Sequence, residues 1–206
     1  YPQGAGSVTV LAREPTPSLC NGSPAEISTR VLGALAEHVY RGELSGANAR
    51  AALRTAERSR RFTTAVARGD ATQARGAIVE FFRNHSHVVR VRVTRGGKLL
   101  IDLGGPLVLA PVSGELRGPR GRVYGRFELS VQDDVGYVLL AHEFTGGEVF
   151  LRGASGQVLG TLSPGPASIP DRGPVTYGGV RYQAYSFMGE AFPSGPLRIS
   201  LLVREG

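Results

Sequence analysis

The stretch that decides the fold is residues 87–103, which read HVVRVRVTRGGKLLIDL. Its first half alternates valine with arginine, and this period of two is typical of a β-strand with one apolar and one polar face. Gly96 and Gly97 then supply the backbone freedom that a tight turn needs, and Leu99 to Leu103 continue as a second strand. The sequence therefore predicts a β-hairpin here, and with it an antiparallel sheet.

Upstream of this hairpin the hydrophobic period is close to 3.6 residues, which indicates helices. Ser23 offers a capping hydroxyl, Pro24 suits the first helical position, and Glu26 stands three residues after the cap. We expect a long helix from this point to about Gly42. The apolar stripe predicted to pack on the sheet consists of Ile27, Val31, Leu35 and Val39. Two further helices are predicted over 47–68 and 70–82.

Downstream of the hairpin the chain returns to strand patterns. A long strand is predicted over 123–131, after a glycine- and proline-rich segment at 104–121 that shows no regular pattern. A short helix is expected to follow Asp133 and Asp134. The remaining predicted strands are 148–151, 157–162, a hairpin arm over 175–187 that turns at Gly178 and Gly179, and 197–203. Helices first and hairpins afterwards predict an α+β fold, with an antiparallel sheet of five to six strands preceded by N-terminal helices that include one long helix.

The predicted domain organisation is simple. Residues 1–22 contain Pro2, Pro15 and Pro17 with little periodicity, and are interpreted as an extended leader. Residues 23–206 are interpreted as a single domain, with a helical part at 23–85 and a sheet part at 86–206. No apolar run approaches the roughly 18 residues that a membrane-spanning helix needs.

The composition excludes several classes of protein. The chain has 206 residues, of which 41% are hydrophobic, so it can bury a core and is not a disordered chain. Its net charge of +7 is spread over both halves, and no nucleic-acid-binding module is visible, so nucleic acid is not an expected partner. The densest basic cluster, Arg58, Arg60 and Arg61, is interpreted as a solvated helix face. Cys20 is the single cysteine, which excludes a disulfide within the chain and a multi-cysteine zinc site.

No catalytic residue, metal or cofactor is predicted. The glycine-rich stretches match neither a phosphate-binding loop nor a dinucleotide fingerprint, and no serine stands in a nucleophile elbow. His85 and His87 could clasp a metal, but a helix end followed by a strand start is the favoured interpretation. Asp133 and Asp134 could act as an acid–base pair, although capping of the following helix is favoured. The sequence therefore predicts a protein that is not an enzyme.

The order of elements resembles that of the Cache family, the PAS-like extracytoplasmic sensor domains of bacterial receptors. The resemblance covers about residues 24–203 and is most specific in the turn–strand–helix passage 118–145, which includes GRVYGRFELSV at 121–131. It implies a sensor domain outside the membrane that receives a small molecule in a pocket between the sheet and its covering loops and helices. No site motif of the family is present from which residue roles could be transferred.

The candidate ligand site is the polar side of the strands. An ordinary exposed sheet face would show the same pattern. In a PAS-like domain, however, both faces are covered, and arginines there would bind a carboxylate or phosphate with two hydrogen bonds. Tyrosines could then form the pocket walls. The residues predicted to bind the ligand are Tyr124, Arg126, Glu128, Tyr137, Tyr185 and Arg198. Within this set, Glu128 is expected to orient the guanidinium of Arg126, which is either paired with Glu128 as a structural ion pair or held ready for an anion.

Two functions follow from these expectations. The first is an extracytoplasmic small-molecule sensing domain of a bacterial signalling or membrane-anchored protein, with an anionic ligand as the expected class. Such a domain would be anchored by a segment absent from this chain, and would form a homodimer through its N-terminal helix. The alternative is a secreted or membrane-tethered protein-interaction module of the same fold that binds no small ligand.

Overall fold

The computed structural model describes residues 22–154, 156, 158–193 and 195–206. Residues 1–21 of the predicted leader, which include Cys20, lie outside these described residues. None of the helices described is both long enough and apolar enough to cross a membrane.

The described residues form five α-helices and eleven β-strands. The helices are α1 (Pro24–Ser45), α2 (Ala47–Arg58), α3 (Arg60–Arg68), α4 (Ala71–Asn84) and α5 (Asp134–Thr145). The first strands are β1 (Arg90–Arg95), β2 (Lys98–Gly104), β3 (Val108–Leu109), β4 (Val112–Arg117), β5 (Val123–Ser130) and β6 (Gln132–Asp133). The later strands are β7 (Glu148–Gly153), β8 (Val158–Gly160), β9 (Arg172–Tyr177), β10 (Val180–Phe192) and β11 (Gly195–Arg204).

The capping residues mark where helices begin in the structure. The Ser23 hydroxyl accepts a hydrogen bond from the Glu26 backbone, and the Glu26 carboxylate accepts one in return from the Ser23 backbone at 2.7 Å. The helix predicted over 47–68 is two helices, because the backbone of Ser59 is extended and interrupts it. The Ser59 hydroxyl caps α3 by accepting a hydrogen bond from the backbone of Phe62 at 3.2 Å.

The long helix α1 buries a different face from the one predicted. Val31 is 52% exposed, so the prediction that it packs on the sheet is wrong. The buried positions of α1 are Thr29, Gly33, Ala36 and Tyr40. Gly33 explains this orientation, because a Cβ there would lie 2.1 Å from the ring of Tyr185. Small residues let the helix approach the sheet closely, and this advantage outweighs the larger side chains of the apolar stripe.

The strands form two antiparallel sheets. The four-stranded sheet has the order β2-β1-β5-β4, and the seven-stranded sheet has the order β6-β3-β10-β11-β7-β8, with β9 paired to β10. The predicted α+β class with antiparallel pairing is confirmed. The strands are nevertheless divided between two sheets, whereas one sheet of five to six strands was expected. The reason lies in the segment 104–121, where β3 joins the larger sheet and β4 joins the smaller one.

Each sheet packs on helices through a hydrophobic core on one side, and the seven-stranded sheet has a smaller core on its other side, formed by Phe150, Ile169, Tyr182, Ala184 and Leu202. The four-stranded sheet packs on α2, α3 and α4 through side chains that include Val91, Val93, Phe127 and Leu129. The seven-stranded sheet packs on α1 and α5 through side chains that include Tyr40, Tyr137, Ile199 and Leu201. The assignment of residues 23–206 to a single domain stays a prediction, because it depends on whether the two cores unfold together.

Candidate ligand-binding face

Strand alternation places a set of polar side chains on the side of the four-stranded sheet that faces away from the helices. Because successive residues of a strand point to opposite faces, burial of Phe127 and Leu129 sends Arg126 and Glu128 outward. Neighbouring strands add further polar side chains to the same side. Together they form a concave surface that encloses a cavity of about 450 Å³. We call this surface the outer face; its polar residues are Arg92, Thr94, Ser113, Glu115, Arg126 and Glu128.

Arg92 contributes to the outer face a buried hydrogen-bond donor that has no partner among the described residues. Asp102, the carboxylate nearest to it, is already bound by Arg90 through two hydrogen bonds of 2.8 Å. The Arg92 Nε lies 3.9 Å from the Asp102 carboxylate, and this buried atom has no hydrogen-bond partner among the described residues. A buried donor without a partner costs free energy, so an acceptor that reached this guanidinium would bind favourably.

Arg90 is held in place by contacts of its own. Its guanidinium donates to the backbone carbonyls of Gly105 and Pro106 at 2.6 and 2.8 Å, and lies 5.2 Å from the centre of the Phe192 ring. Arg90 already donates two hydrogen bonds to the Asp102 carboxylate. The positive charge of Arg92 is therefore available to another acceptor.

Arg126 lies on the outer face as predicted, but its partner is a different carboxylate. The side chain is 75% exposed, and its Nε donates to Glu115 at 3.2 Å. Glu115 is directly opposite Arg126 in the pairing of β4 with β5, whereas Glu128 stands two residues away along the same strand. Directly opposed side chains across a sheet are closer than neighbours at i and i+2, so the expected orientation of Arg126 by Glu128 is wrong.

Glu128 and Tyr124 occupy opposite ends of the outer side of β5. Glu128 is half-buried, and it has no hydrogen bond or ion pair among the described residues, although it lies opposite Arg92 in the pairing of β1 with β5. Tyr124 lies beyond Arg126, where its ring covers Gly118 so closely that a Cβ there would be 2.1 Å away. The guanidinium of Arg122 lies 5.9 Å from the centre of this ring.

Arg198 lies in the other sheet, beneath the loop that connects β8 with β9. Its guanidinium donates to the Ile169 carbonyl at 2.8 Å and forms an ion pair of 2.8 Å with Asp171. Arg152, its neighbour on β7, donates to the carbonyls of Pro166 and Ala167 at 3.1 Å. These two arginines therefore hold the loop against the sheet, and the structure does not bring Arg198 together with Arg126.

Tyr185 and Tyr137 both contact α1. The Tyr185 hydroxyl donates to Glu37 at 3.1 Å, and the guanidinium of Arg172 lies 3.4 Å from the centre of its ring. Tyr137 is fully buried and donates to the Ala36 carbonyl at 2.9 Å. Burial raises the pKa of both phenols above the ordinary value. The two tyrosines lie in or beside the core of the seven-stranded sheet, away from the outer face.

The predicted ligand-binding set lacks Arg92 and Thr94 of β1, which lie on the outer face. It also lacks Ser113 and Glu115, which contribute to the outer face from β4. These last two belong to the segment that is interpreted as irregular because of its glycines and prolines. A signal was present, since Val112, Gly114 and Leu116 alternate with polar residues over one strand length.

The residues considered for acid–base catalysis and metal binding lie at or near helix ends. Asp133 caps α5 by accepting a hydrogen bond from the Gly136 backbone, as its capping interpretation predicts. The rings of His85 and His87 are 5.7 Å apart and perpendicular. Burial, and then the charge of His87, lowers the pKa of His85. Within the described part of the chain no three metal-ligating side chains are grouped so that they could hold an ion.

Comparison with known proteins places the fold. No family model and no curated protein sequence matches the chain. The periplasmic domain of LuxQ from Vibrio cholerae is 10% identical and has a TM-score of 0.58, with 86% of this chain and 100% of that chain covered. An extracellular ligand binding receptor from Desulfohalobium retbaense is 11% identical, with a TM-score of 0.47 and coverage of 87% and 41%. The ligand-binding domain of the Pseudomonas fluorescens chemoreceptor CtaA, in complex with L-alanine, is 13% identical, with a TM-score of 0.35 and coverage of 84% and 97%. Of these three, the LuxQ domain has the TM-score on which a comparison can rest, and the chain shares the fold of this periplasmic domain.

Proposed function

We propose that this chain is an extracytoplasmic sensing domain of a membrane-anchored protein and that it binds a small anionic ligand on the outer face. The observation that carries the proposal is the guanidinium of Arg92, whose buried Nε has no hydrogen-bond partner among the described residues. The fold shared with a periplasmic domain supports the extracytoplasmic location.

The charges of the outer face indicate which anions fit best. Arg92 and Arg126 offer guanidinium groups that can each hold a carboxylate or a phosphate with two hydrogen bonds. Glu128 adds a half-buried carboxylate without a partner among the described residues, directly opposite Arg92 in the strand pairing. A ligand that carries an acid group next to an ammonium or hydroxyl donor would satisfy Arg92 and Glu128 together. A bare anion would satisfy the arginine and be repelled by the glutamate.

A thermal-shift screen against small carboxylates, amino acids and phosphate esters tests the proposal. A ligand present at about 100 times its dissociation constant stabilises a protein by roughly 2.7 kcal/mol, which is a measurable rise in melting temperature. We expect this stabilisation to be reduced in Arg126→Gln and lost in Arg92→Gln. Arg54→Gln, at an exposed position on α2, removes the same charge elsewhere and should respond like the wild type.

Two outcomes of the screen would contradict the proposal. One is a ligand that stabilises Arg92→Gln as strongly as the wild type. The other is a chain that no compound stabilises, which would favour the alternative of a protein-interaction module.

We also infer a homodimer through α1. Val39 of the apolar stripe packs against the core, whereas Val31 is 52% exposed, with Ile27 and Leu35 half-buried on either side of it. A second copy of the helix would cover this stripe, because positions i, i+4 and i+8 of a helix share one face.

Light scattering after size-exclusion chromatography tests the dimer. Val31→Glu should convert a dimer into a monomer without lowering the melting temperature, because the side chain is exposed. Val79→Glu, at a 37%-exposed position on α4, is the matched control and should remain dimeric. A wild-type chain that is monomeric at high protein concentration would contradict the inference.

A further inference from the structure

A second cavity, of about 560 Å³, lies between α3 and the adjoining ends of β4 and β5. Four arginines and two threonines are among the residues that line it. We call it the arginine cleft; these residues are Arg58, Arg60, Thr63, Thr64, Arg68 and Arg117.

Helical spacing explains the concentration of charge. Arg60, Thr64 and Arg68 stand four residues apart on α3 and therefore share one side of the helix. The opposite side of α3 packs against the core through Phe62, Ala65 and Val66. The cleft is thus built on a helix whose orientation is fixed by burial.

The three arginines of the basic cluster, which are interpreted from the sequence as one solvated helix face, have different surroundings in the structure. Arg61 forms an ion pair with Glu80 on α4 and is not among the residues that line the cleft. Arg58 and Arg60 line the cleft, where β4 contributes Arg117 and β5 contributes Tyr124. Arg58 and Arg60 are exposed, as the interpretation of a solvated face predicts, and their exposed side chains line the cleft.

The charges in the cleft are poorly balanced. Among the described residues, Arg58, Arg60 and Arg68 have no ion pair and no side-chain hydrogen bond. Arg117 is bound by Glu115 and donates to the Gly121 carbonyl at 3.0 Å. Glu57 is the one carboxylate that lines the cavity in the part of the chain that the structure describes. Like charges that line one cavity repel each other, and an anion with several charges would relieve the repulsion.

We propose that the arginine cleft binds a phosphate-bearing ligand with at least two negative charges. Guanidinium groups match phosphate oxygens in pairs, and the threonine hydroxyls can donate to the same oxygens. The ring of Tyr124 gives the cleft an apolar wall. This site goes beyond the sensing function proposed for the outer face, because its arginines differ from those of that face. A free oligophosphate and a phospholipid headgroup share the required chemistry.

Two probes distinguish these sources: inorganic triphosphate, measured by titration calorimetry, and vesicles of cardiolipin, whose headgroup carries two phosphates, with phosphatidylcholine, measured by co-sedimentation. We expect the double variant Arg58→Gln/Arg60→Gln to weaken binding of the responsive probe about tenfold or more, a loss of about 1.4 kcal/mol per factor of ten. Arg75→Gln/Arg83→Gln lowers the net charge equally at exposed positions of α4, and should bind within about twofold of the wild type. Melting temperatures of both variants check that the fold is retained.

Each outcome decides the proposal. Cleft-dependent binding of triphosphate supports a free phosphorylated ligand, and cleft-dependent binding of vesicles alone supports a headgroup. Equal losses in the two double variants would overturn the proposal, because binding would then follow net charge. Binding of neither probe would also overturn it. Arg92→Gln should leave triphosphate binding unchanged, so a failure of the outer-face proposal is recognised separately.

Discussion

Replacing Phe127 with alanine should lower the free energy of unfolding by about 3–5 kcal/mol, the usual cost of removing a buried phenylalanine from a core. The side chain is 1% exposed and packs on the ring of Phe62, with 6.0 Å between ring centres. It lies directly beneath the outer face, and α2 to α4 cover it from the other side. Phe144→Ala, at a 58%-exposed position of α5, removes the same atoms and should have a much smaller effect.

Comparing this variant with Ile199→Ala tests whether residues 23–206 form one domain. Ile199 is 1% exposed in the core of the seven-stranded sheet, so its replacement should cost about 2–5 kcal/mol. If the two sheets unfold together, urea denaturation shows one transition that both variants move to lower urea concentration. Two transitions, each moved by one variant alone, would contradict the assignment of a single domain.

Tyr137→Phe should change the response of the protein to alkaline pH. Burial, followed by the neighbouring Tyr40 and Glu37, raises the pKa of Tyr137 far above the ordinary value of a phenol. A group whose pKa is raised on folding contributes stability that is present below the unfolded pKa, about 10 for tyrosine, and lost as the pH rises further. The free energy of unfolding of the wild type should therefore fall steeply above pH 10.

The variant should behave oppositely at the two ends of this range. At pH 7 it loses the hydrogen bond from the hydroxyl to the Ala36 carbonyl, at a cost of about 1 kcal/mol. Above pH 10 it has no phenol to ionise at this position, so its stability should fall less steeply than that of the wild type. Burial also raises the pKa of Tyr40 and of Tyr185, so part of the slope will remain. Urea denaturation from pH 7 to pH 11 checks the prediction, and parallel curves for the two proteins would contradict it.

Local signals in the sequence predict the elements well, whereas long-range contacts decide how they pack. The capping box at Ser23 and Glu26 involves residues three positions apart, so the start of α1 can be read from the sequence. The buried face of α1 could not, because it depends on the contact of Gly33 with Tyr185, which is distant in the chain. The division into two sheets depends likewise on the partners that the short strand β3 and its neighbour β4 find elsewhere.

The same distinction applies to the candidate site. Alternation along β5 correctly predicts that Arg126 and Glu128 share one face, since this follows from the period of a strand. The partner of Arg126 depends on the register between β4 and β5, which residues 121–131 do not specify. Arg90 and Arg92 compete for the carboxylate of Asp102. The contacts of Arg90 with Gly105 and Pro106 favour Arg90, so the Arg92 Nε has no hydrogen-bond partner among the described residues. No sequence pattern indicates such a competition, because it depends on contacts between residues that are distant in the chain.

The central claim is that a small anion binds at the guanidinium of Arg92, and the most direct measurement is nuclear magnetic resonance of the arginine side chains. The Nε–H signal of Arg92, assigned by its loss in Arg92→Gln, is followed while the strongest ligand of the thermal-shift screen is titrated into the protein. The account predicts that this signal and that of Arg126 shift together and saturate with the ligand. The signals of Arg152 and Arg198, beneath the loop of the seven-stranded sheet, should stay in place. Saturating shifts at Arg152 and Arg198 with an unmoved Arg92 signal would contradict the account.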